Sequence, residues 1–510
     1  MTPDVSSRHD SLVSWLYAWT PAIPRRQMFG LLAILLVIGA GLGWLPLPLA
    51  AAGLLGIIVT VLILLHPVWG LIALIPLIPF SSLVSLEIGG VRVGGMEALL
   101  LLILIAWLLS MAARRQIVIP HPRLSLPWLL WLGVILVSWL GALSLGAAIT
   151  ESLKWLEMLA LYLFMVAVVE RRHLPWLIGA VLLAGIAQAL LGLYQFLFRV
   201  GPEGFLLFGG RFLRAYGTFQ QPNPYAGYLG LILPIAFSLI LWGLGARQTY
   251  YHPQNTKGRA QSAVNPPRQH TLLITLVSAV AMGLMLAALF ASQSRGAWIG
   301  LAAALAAVSL VRGGWTTALL VLVVAVLATM AALGAFQMLS PVVVQRFSDA
   351  FTALSIPDIT TAEVTDANFA AIERLAHWQA ALDMWRDHLW LGVGFGNYAV
   401  VYPAYAIGRW LDPLGHAHNY YLNVASETGL TGLLAYGLFW TAAFGMGWAA
   451  VRHSSGFQRA VAAGGVGVLV HLSVHNLVDN LFVQGMYLHI AIVLGLLCLL
   501  CSARWAHDVY

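Results

Sequence analysis

Three arginines lie in short polar segments between apolar stretches, where a charged side chain in a membrane protein indicates a function. Arg211 and Arg214 are three residues apart in R-F-L-R-A-Y-G-T-F-Q-Q-P-N, and Arg295 lies in the turn S-Q-S-R-G. Guanidinium groups stay charged and bind diphosphate through paired hydrogen bonds. The spacing therefore indicates a diphosphate-binding face, with snorkelling to lipid headgroups or pairing with a loop acid as the alternative for each arginine.

A histidine precedes an apolar helix in H-A-H-N-Y-Y-L-N-V-A-S-E-T-G, where His418 is followed by Ser426 and Glu427. A neutral imidazole at a membrane surface can take a proton from a sugar hydroxyl near pH 7. Taken alone, His418 is more typical of a hydrogen-bonded structural histidine.

A third polar cluster interrupts a late apolar segment, H-L-S-V-H-N-L-V-D-N. His471, His475 and Asp479 are spaced i, i+4 and i+8, which predicts one helical face lining an outer cavity, because polar groups at this depth must face protein or water. Two histidines and a carboxylate lack a further ligand, so we predict no metal site. Lys154 and Glu157 are predicted to form a similar buried pair.

The elements that position these residues follow from composition. A chain of 510 residues that is 60% hydrophobic and only 9% charged is neither a soluble enzyme nor a disordered chain. We predict an all-α, polytopic membrane bundle of 12–14 transmembrane helices, because a lone strand in lipid leaves its backbone unpaired. The predicted spans lie near 28–45, 47–66, 68–85, 96–113, 126–146, 152–170, 174–198, 222–244, 271–291, 296–311, 315–335, 428–450, 457–478 and 484–502.

The distribution of basic residues predicts the topology. Most lysines and arginines fall in segments that alternate with a cytoplasmic N-terminus, so both termini are predicted inside and the large loop outside. The net charge of +7 forms no continuous basic stripe, which argues against nucleic acid as a partner and leaves the lipid bilayer.

Five regions are predicted. They are a cytoplasmic tail (1–27), N-terminal helices (28–198), a core with outer arginine loops (199–335), a large outer loop (336–427), and C-terminal helices with a short tail (428–510).

The outer loop contains an apolar stripe that predicts an amphipathic helix lying on the interface or on the bundle. The stripe consists of Phe369, Ile372, Leu375, Trp378, Leu382, Trp385 and Leu389. The G-x-G-x-G run at Gly392–Gly396 is interpreted as a turn, because no strand precedes it, and we predict no cofactor. The aromatic residues Tyr402, Tyr405 and Trp410 are candidates for stacking on sugar rings or for interfacial anchoring.

Four motifs in this order resemble the O-antigen ligase and polymerase superfamily of bacterial membrane glycosyltransferases. They are R-A-Y-G-T-F-Q-Q-P-N at Arg214–Asn223, S-R-G at Ser294–Gly296, E-R-L-A-H-W-Q-A-A-L at Glu373–Leu382 and H-N-Y-Y-L-N-V-A-S-E-T-G at His418–Gly429. The resemblance covers about residues 205–485, whereas the first 200 residues match in hydropathy alone.

The resemblance implies transfer of a glycan, such as that of lipopolysaccharide, from a polyprenyl diphosphate (undecaprenyl diphosphate in bacteria) to a hydroxyl acceptor. The acceptor is a glycan, lipid or protein at the outer face of the inner membrane, and neither nucleotide sugar nor metal is required. It implies catalytic roles for His418, Arg214 and Arg295. The expected substrate-binding residues are Arg211, Arg374, Asn223, Asn419, Glu427, His475 and Asp479. We hypothesise in-line displacement with inversion at the donor sugar.

Several alternatives remain open at this stage. Ligase, chain-extending polymerase and protein O-oligosaccharyltransferase share these motifs, and a bicarbonate-type transporter is the main rival from another class. Transporters usually place their site at the membrane midplane, whereas these polar residues gather at outer ends. A non-catalytic assembly protein has no positive sign in the sequence.

Overall fold

The computed structural model describes residues 44, 46–81, 83, 85–88, 91–116, 120–207, 210–251, 268–332, 364–365 and 368–501. The predicted tail (1–27), nearly all of the first predicted span and residues 336–363 of the predicted outer loop lie outside the described residues. The described chain forms two units, residues 1–66 and 67–510.

The described chain is helical, as predicted. The first unit contributes α1 (Leu47–Leu65). The second contains α2 (Pro67–Leu77), β1 (Ser85–Ile88), β2 (Val91–Gly94), α3 (Gly95–Ala113), α4 (Ser125–Ser138), α5 (Leu145–Val168), α6 (Leu174–Phe198), β3 (Leu206–Leu207), β4 (Phe212–Leu213), α7 (Pro222–Gly230), α8 (Leu233–Tyr251), α9 (Arg268–Ser292), α10 (Arg295–Arg312), α11 (Trp315–Ala332), α12 (Phe369–Asp387), α13 (Tyr398–Val401), α14 (Tyr420–His453), α15 (Gly456–His475) and α16 (Met486–Cys501).

Within the described residues, eight helical segments are long and apolar enough to cross a membrane, and four shorter apolar helices accompany them. A helix satisfies its own backbone hydrogen bonds, so it can cross lipid without a partner. The fold class, an all-α polytopic membrane protein, is confirmed. Two short antiparallel hairpins, formed by β1 with β2 and by β3 with β4, were not predicted.

Two predicted spans are interrupted. The span predicted near 222–244 consists of α7 and α8, which are separated at Leu231 and Ile232 just before Pro234, a residue without an N–H to continue a helix. The span predicted near 428–450 begins earlier, at Tyr420, and breaks at Gly429 (φ 66°). Both interruptions lie near the candidate site residues.

Helix α15 lies between α8, α10 and α14 in the middle of the second unit. Its Ala460–Gly467 stretch is buried and rich in small residues. A β-carbon at Gly464 would lie 2.7 Å from the Cα atom of Ile235 in α8. The small residues thus permit the close helix packing that holds α15 in place.

Aromatic side chains fill the contact between α4, α5 and α14. Trp155 of α5 packs edge-to-face on Trp131 of α4, with ring centroids 5.3 Å apart, and stacks on Phe482 beyond α15, also at 5.3 Å. Phe482 in turn stacks on Tyr420 at 4.5 Å. This buried layer supports the segment between α15 and α16, which carries Asp479.

The outer-loop helix forms where the sequence predicted it, as α12, but it buries a different face. The residues of α12 buried against α14 and the loop are Ile372, Ala376, His377, Ala380, Ala381 and Met384. Phe369 and Leu389 of the predicted apolar stripe are exposed, and Trp378, Leu382 and Trp385 are half-buried. Of the predicted stripe, Ile372 is buried as expected, whereas three alanines, His377 and Met384 form the rest of the buried face.

The G-x-G-x-G run is a turn, as predicted. It inserts against the start of α5 and the break in α14, and Gly394 has φ 97° with the Cα atom of Ala142 only 2.6 Å from its ideal Cβ position. The backbone N–H groups of Val393 and Gly394 donate to the carbonyl oxygens of Ser426 and Glu427 at 2.9 and 3.0 Å. The outer loop therefore pairs carbonyl groups beside the interruption of α14.

Candidate active site

The candidate residues gather at one set of helix ends. These are the C-terminal ends of α6, α9 and α15 and the N-terminal ends of α5, α7, α10, α14 and α16, together with α12 of the outer loop. Antiparallel packing of consecutive helices places all of these ends on the same side. The site is therefore built by segments that are far apart in sequence.

His418 lies beside Asp479. The distance between His418 Nδ1 and Asp479 Oδ1 is 3.8 Å, and their side chains are 15% and 6% exposed. His416 completes the cluster, because one ligand atom from each of the three residues lies within 4.8 Å of the other two. Of the described residues, this trio has a donor set that could hold a divalent cation.

The backbone of His418 is fixed in an unusual conformation (φ 52°). Its N–H donates to Nδ1 of His416 at 3.0 Å, and its carbonyl oxygen accepts from Nε1 of Trp378 at 3.3 Å. The next residue, Asn419, caps α14, since its side-chain oxygen accepts from the N–H groups of Tyr421 and Leu422. These contacts hold the imidazole of His418 at the mouth of the helix.

Burial sets the protonation states around His418. Burial, followed by the charge of His418, lowers the pKa of His416 to about 4, and the same causes lower the pKa of His377 to about 4. Burial opposes ionisation of Asp479, but the adjacent imidazoles of His418, His416 and His475 hold its pKa well below its usual range. At neutral pH, His416 and His377 are therefore neutral and Asp479 is an anion.

We call the second group of residues the arginine corner, and it consists of Arg214, Asn223, Ser292 and Arg295. Arg214 Nε donates to the carbonyl oxygen of Ser292 at 2.8 Å, and its Nη2 donates to Asn223 Oδ1 at 3.0 Å. Arg295 is the first residue of α10, three positions after Ser292. The two predicted catalytic arginines thus lie on adjoining segments.

Helix packing links the arginine corner to the histidine cluster. A β-carbon at Gly296, next to Arg295, would lie 3.5 Å from the ring of His475, and Asp479 follows four residues later. Arg374 of α12 is half-buried, and its positive charge adds to the effect of burial and of the charge of His418 in lowering the pKa of His416.

A polar cavity of about 280 Å³ opens next to His416. Its lining residues come from α5, the start of α7, the outer loop, α14 and the segment before α16. They are Glu151, Lys154, Gln221, Pro224, Gly396, Leu414, Gly415, His416, Asn423, Glu427, Asn480, Val483 and Gln484. Of the predicted site residues, Glu427 lines this cavity, and its Oε1 also accepts from the N–H of Tyr398 at 3.0 Å.

Several predicted placements are wrong. Helix α15 ends at His475, so Asp479 lies beyond the helix and does not continue the face of His471 and His475. Both histidines are buried, with Nδ1 of His475 3.5 Å from Nε2 of His471. The segment turns at Asn476 and Asn480, whose side-chain oxygens accept from the backbone at Leu481 and Phe482 and so end the helical path.

The predicted Lys154–Glu157 pair is also wrong. Lys154 Nζ donates to Glu151 Oε2 at 2.6 Å, whereas Glu157 Oε2 accepts from the hydroxyl of Tyr487 at 2.6 Å. The i, i+3 spacing allowed either carboxylate, and the packing of α16 against α5 decided between them.

Two other groups differ from expectation in exposure. Arg211 is exposed over the ring of Phe212, apart from the hydrogen bonds that hold Arg214. Tyr402 and Trp410 are buried within the outer loop, where Tyr402 stacks on His377 at 4.7 Å and donates its hydroxyl to the carbonyl oxygen of Trp410. They support the loop and offer no free ring face to a sugar.

Sequence reasoning did not single out His416, Glu151 or the amides of the cavity. The H-A-H spacing was the available signal for His416, because alternate residues before a helix cap can converge on one site. No local pattern could have found Glu151, since its importance depends on the packing of α5 against the distant outer loop.

Residues 280–437 match the family model described as O-antigen ligase. This segment of the chain is therefore similar to the O-antigen ligases. The resemblance to the ligase and polymerase superfamily is thereby confirmed, and with it the general class of membrane glycosyltransferase. The matched segment includes Arg295, Arg374 and His418, while Arg214 and Asp479 lie outside it. No curated protein matches the chain in a sequence search.

Proposed function

We propose that this chain transfers a glycan from a polyprenyl diphosphate to a hydroxyl acceptor at the outer face of the inner membrane. The proposal rests on one observation. At one set of helix ends, the packing of α10 against α15 connects the arginine corner to the segment that carries the His418–Asp479 pair. A cationic group and an imidazole–carboxylate pair are what a diphosphate leaving group and a hydroxyl nucleophile require.

The proposed reaction begins at the acceptor hydroxyl. His418 takes the hydroxyl proton while the oxygen attacks the anomeric carbon of the donor sugar. The bond from this carbon to the diphosphate oxygen breaks, its electron pair leaves with the diphosphate, and the configuration inverts. The proton passes from His418 to solvent or to the released diphosphate. Atoms and charge balance without a further reactant.

The surrounding residues stabilise the charges that develop. Asp479 is an anion at 3.8 Å from His418, so it favours the imidazolium formed when the proton arrives. Arg214 and Arg295 neutralise the charge on the leaving diphosphate, and the hydrogen bonds of Arg214 to Ser292 and Asn223 hold its guanidinium in a fixed orientation.

The direct test is turnover by purified protein given a polyprenyl-diphosphate oligosaccharide and a panel of glycan, lipid and peptide acceptors. We expect wild-type transfer and loss of transfer in Arg214→Ala, Arg295→Ala and His418→Ala. Arg386→Ala and His388→Ala are matched controls, because both residues are exposed at the end of α12. Transfer that survives all three site substitutions contradicts the proposal, and the productive acceptor distinguishes ligase, polymerase and protein glycosyltransferase.

The orientation in the membrane is tested separately. A single cysteine at His388, in the exposed end of α12, can be labelled with an impermeant maleimide, while the native Cys498 and Cys501 are buried. We expect labelling of intact spheroplasts. Labelling that requires permeabilised membranes would place the loop in the cytoplasm and overturn the outer-face assignment.

A transporter remains the rival from another class. Its test is bicarbonate uptake into liposomes containing the protein. Uptake in the absence of glycan transfer would replace the glycosyltransferase proposal for this chain.

A further inference from the structure

The polar cavity beside His416 has a composition unlike that of the arginine corner. Its lining contains two carboxyl groups, Glu151 and Glu427, and one ammonium group, Lys154. Arg214, Arg295 and Arg374 do not line it. The cavity is therefore not a second diphosphate site, and its chemistry needs a separate explanation.

The lysine of the cavity is already engaged by its neighbours. Lys154 forms an ion pair with Glu151 at 2.6 Å and approaches the carbonyl oxygen of Phe482 at 3.4 Å. The one ammonium group among the lining residues is therefore held by Glu151, and a uronate or phosphate in the cavity would meet the carboxyl groups of Glu151 and Glu427.

The hydrogen-bonding groups suit vicinal hydroxyls. Carboxylates accept, ammonium donates, and side-chain amides do both, as required for a hydroxyl that is itself donor and acceptor. Gln221, Asn423, Asn480 and Gln484 supply the amides. The side-chain oxygen of Gln484 is buried and lacks a hydrogen-bond partner among the described residues, so a ligand donor in the cavity would satisfy it.

The size and position agree with a single ring. About 280 Å³ is slightly below the roughly 300 Å³ at which pockets for drug-sized ligands begin, and a single pyranose is smaller than such a ligand. His416 borders the cavity and contacts His418, with ring centroids 4.4 Å apart. A ring in the cavity would lie next to the predicted catalytic base.

We propose that this cavity binds one uncharged pyranose ring of the glycan substrate and discriminates against anionic sugars. The inference rests on the proposed function, since it assigns the sugar-binding part of the same site. The pair Lys154–Glu151, supplied by α5, is the specificity-determining element, and it lies outside the matched O-antigen ligase domain.

The test is saturation-transfer NMR of the purified full chain with four probes: methyl glucoside, methyl galactoside, methyl N-acetylglucosaminide and methyl glucuronide. We expect at least one neutral glycoside to bind and the glucuronide to bind at least about tenfold more weakly, because it gains no cation and meets carboxyl groups. This comparison needs no variant. Equal binding of the glucuronide and the neutral probes, or no binding of any probe, overturns the proposal.

Variants locate the binding. We expect Lys154→Met to weaken binding of the neutral glycoside by about tenfold. We expect Glu151→Gln to reduce the difference in affinity between the neutral glycoside and the glucuronide. Glu170→Gln is the matched control, because it changes the same residue type about 28 Å away along the helix axis, beyond the C-terminal end of the 24-residue α5. The assignment of sugar binding to the cavity is contradicted if the control loses as much glycoside binding as the cavity variants. It is also contradicted if binding is unchanged in both cavity variants.

A final arm identifies the source of the sugar. Displacement of the neutral probe by a polyprenyl-diphosphate oligosaccharide assigns the cavity to the donor, and retention of the probe assigns it to the acceptor. The failure of this inference is distinguishable from that of the proposed function. Binding of a glycoside without any glycan transfer contradicts the proposed function. Glycan transfer that is unchanged in all cavity variants contradicts the assignment of the cavity to a sugar.

Discussion

The arginine corner and the polar cavity lie at the same set of helix ends but use opposite chemistry. The arginine corner holds fixed cations, with Arg214 oriented by the backbone of Ser292 and by Asn223. The cavity holds the Lys154–Glu151 ion pair, the carboxyl group of Glu427, neutral His416 and amides. Asp479 and His418 are connected to both regions. We therefore propose that recognition of charge and recognition of hydroxyl groups are divided between two neighbouring sets of residues.

The largest predicted effect is at the centre of this comparison. His418→Gln removes the proton acceptor, so kcat should fall by about 10²- to 10⁴-fold. Asp479→Asn keeps the shape but removes the charge that favours imidazolium, so it should lower kcat with little change in KM. Single-turnover kinetics measures both. A normal kcat for Asp479→Asn would separate Asp479 from the reaction.

The next effect concerns the cationic side. Arg214→Ala or Arg295→Ala should each lower kcat/KM by about 10²- to 10³-fold, since each removes a donor aimed at developing charge. Arg214→Lys should recover only part of this loss, because lysine cannot reproduce the two-sided contact with Ser292 and Asn223. Full activity of Arg214→Lys would show that charge alone is sufficient and would weaken the comparison.

A smaller effect distinguishes the permanent charge of the arginines from the neutral histidines. The folded pKa of His377 is about 4, below the unfolded value of about 6.5. The unfolded chain therefore binds more protons in this window, and stability should fall as the pH is lowered from about 6.5 to about 4. Thermal melting in detergent should show a shallower fall for His377→Gln. Identical pH slopes for variant and wild type would contradict this assignment.

The smallest expected effect is that of metal removal. His416, His418 and Asp479 have donor atoms within 4.8 Å of one another, yet the proposed reaction assigns His418 to a proton. Transfer should therefore be unchanged after dialysis against EDTA. Loss of activity that is restored by a divalent cation would convert this trio into a metal site and give the two regions a shared cation.

Much of the fold could be predicted because hydropathy reports directly on membrane crossing. The helices from Leu47 to Leu65 and from Leu174 to Phe198 have almost the predicted bounds. The break at Gly429 was not predicted, because it depends on the outer loop pairing with the α14 backbone. The buried face of α12 was predicted only in part for a similar reason, since tertiary packing buried Ile372 of the predicted stripe together with alanines, His377 and Met384 outside it.

The candidate site divides in the same way. His418, Arg214 and Arg295 were found from residue type and from their position between apolar segments, and their catalytic roles stay predictions. The i, i+3 spacing could not choose between Glu151 and Glu157 as the partner of Lys154, because the packing of α16 against α5 makes that choice. The sequence also could not place His416 beside Asp479, because these residues are far apart in the chain.

Span length, composition and local motifs are properties of short segments, so the amino-acid sequence alone indicated a helical membrane protein that resembles the O-antigen ligases. Which polar side chains meet depends on the tertiary structure. The reason is physical: burial, ion pairing and the shape of a cavity arise where α5, α14, the outer loop and the Asp479 segment pack together, and none of these quantities exists in any one of those segments alone.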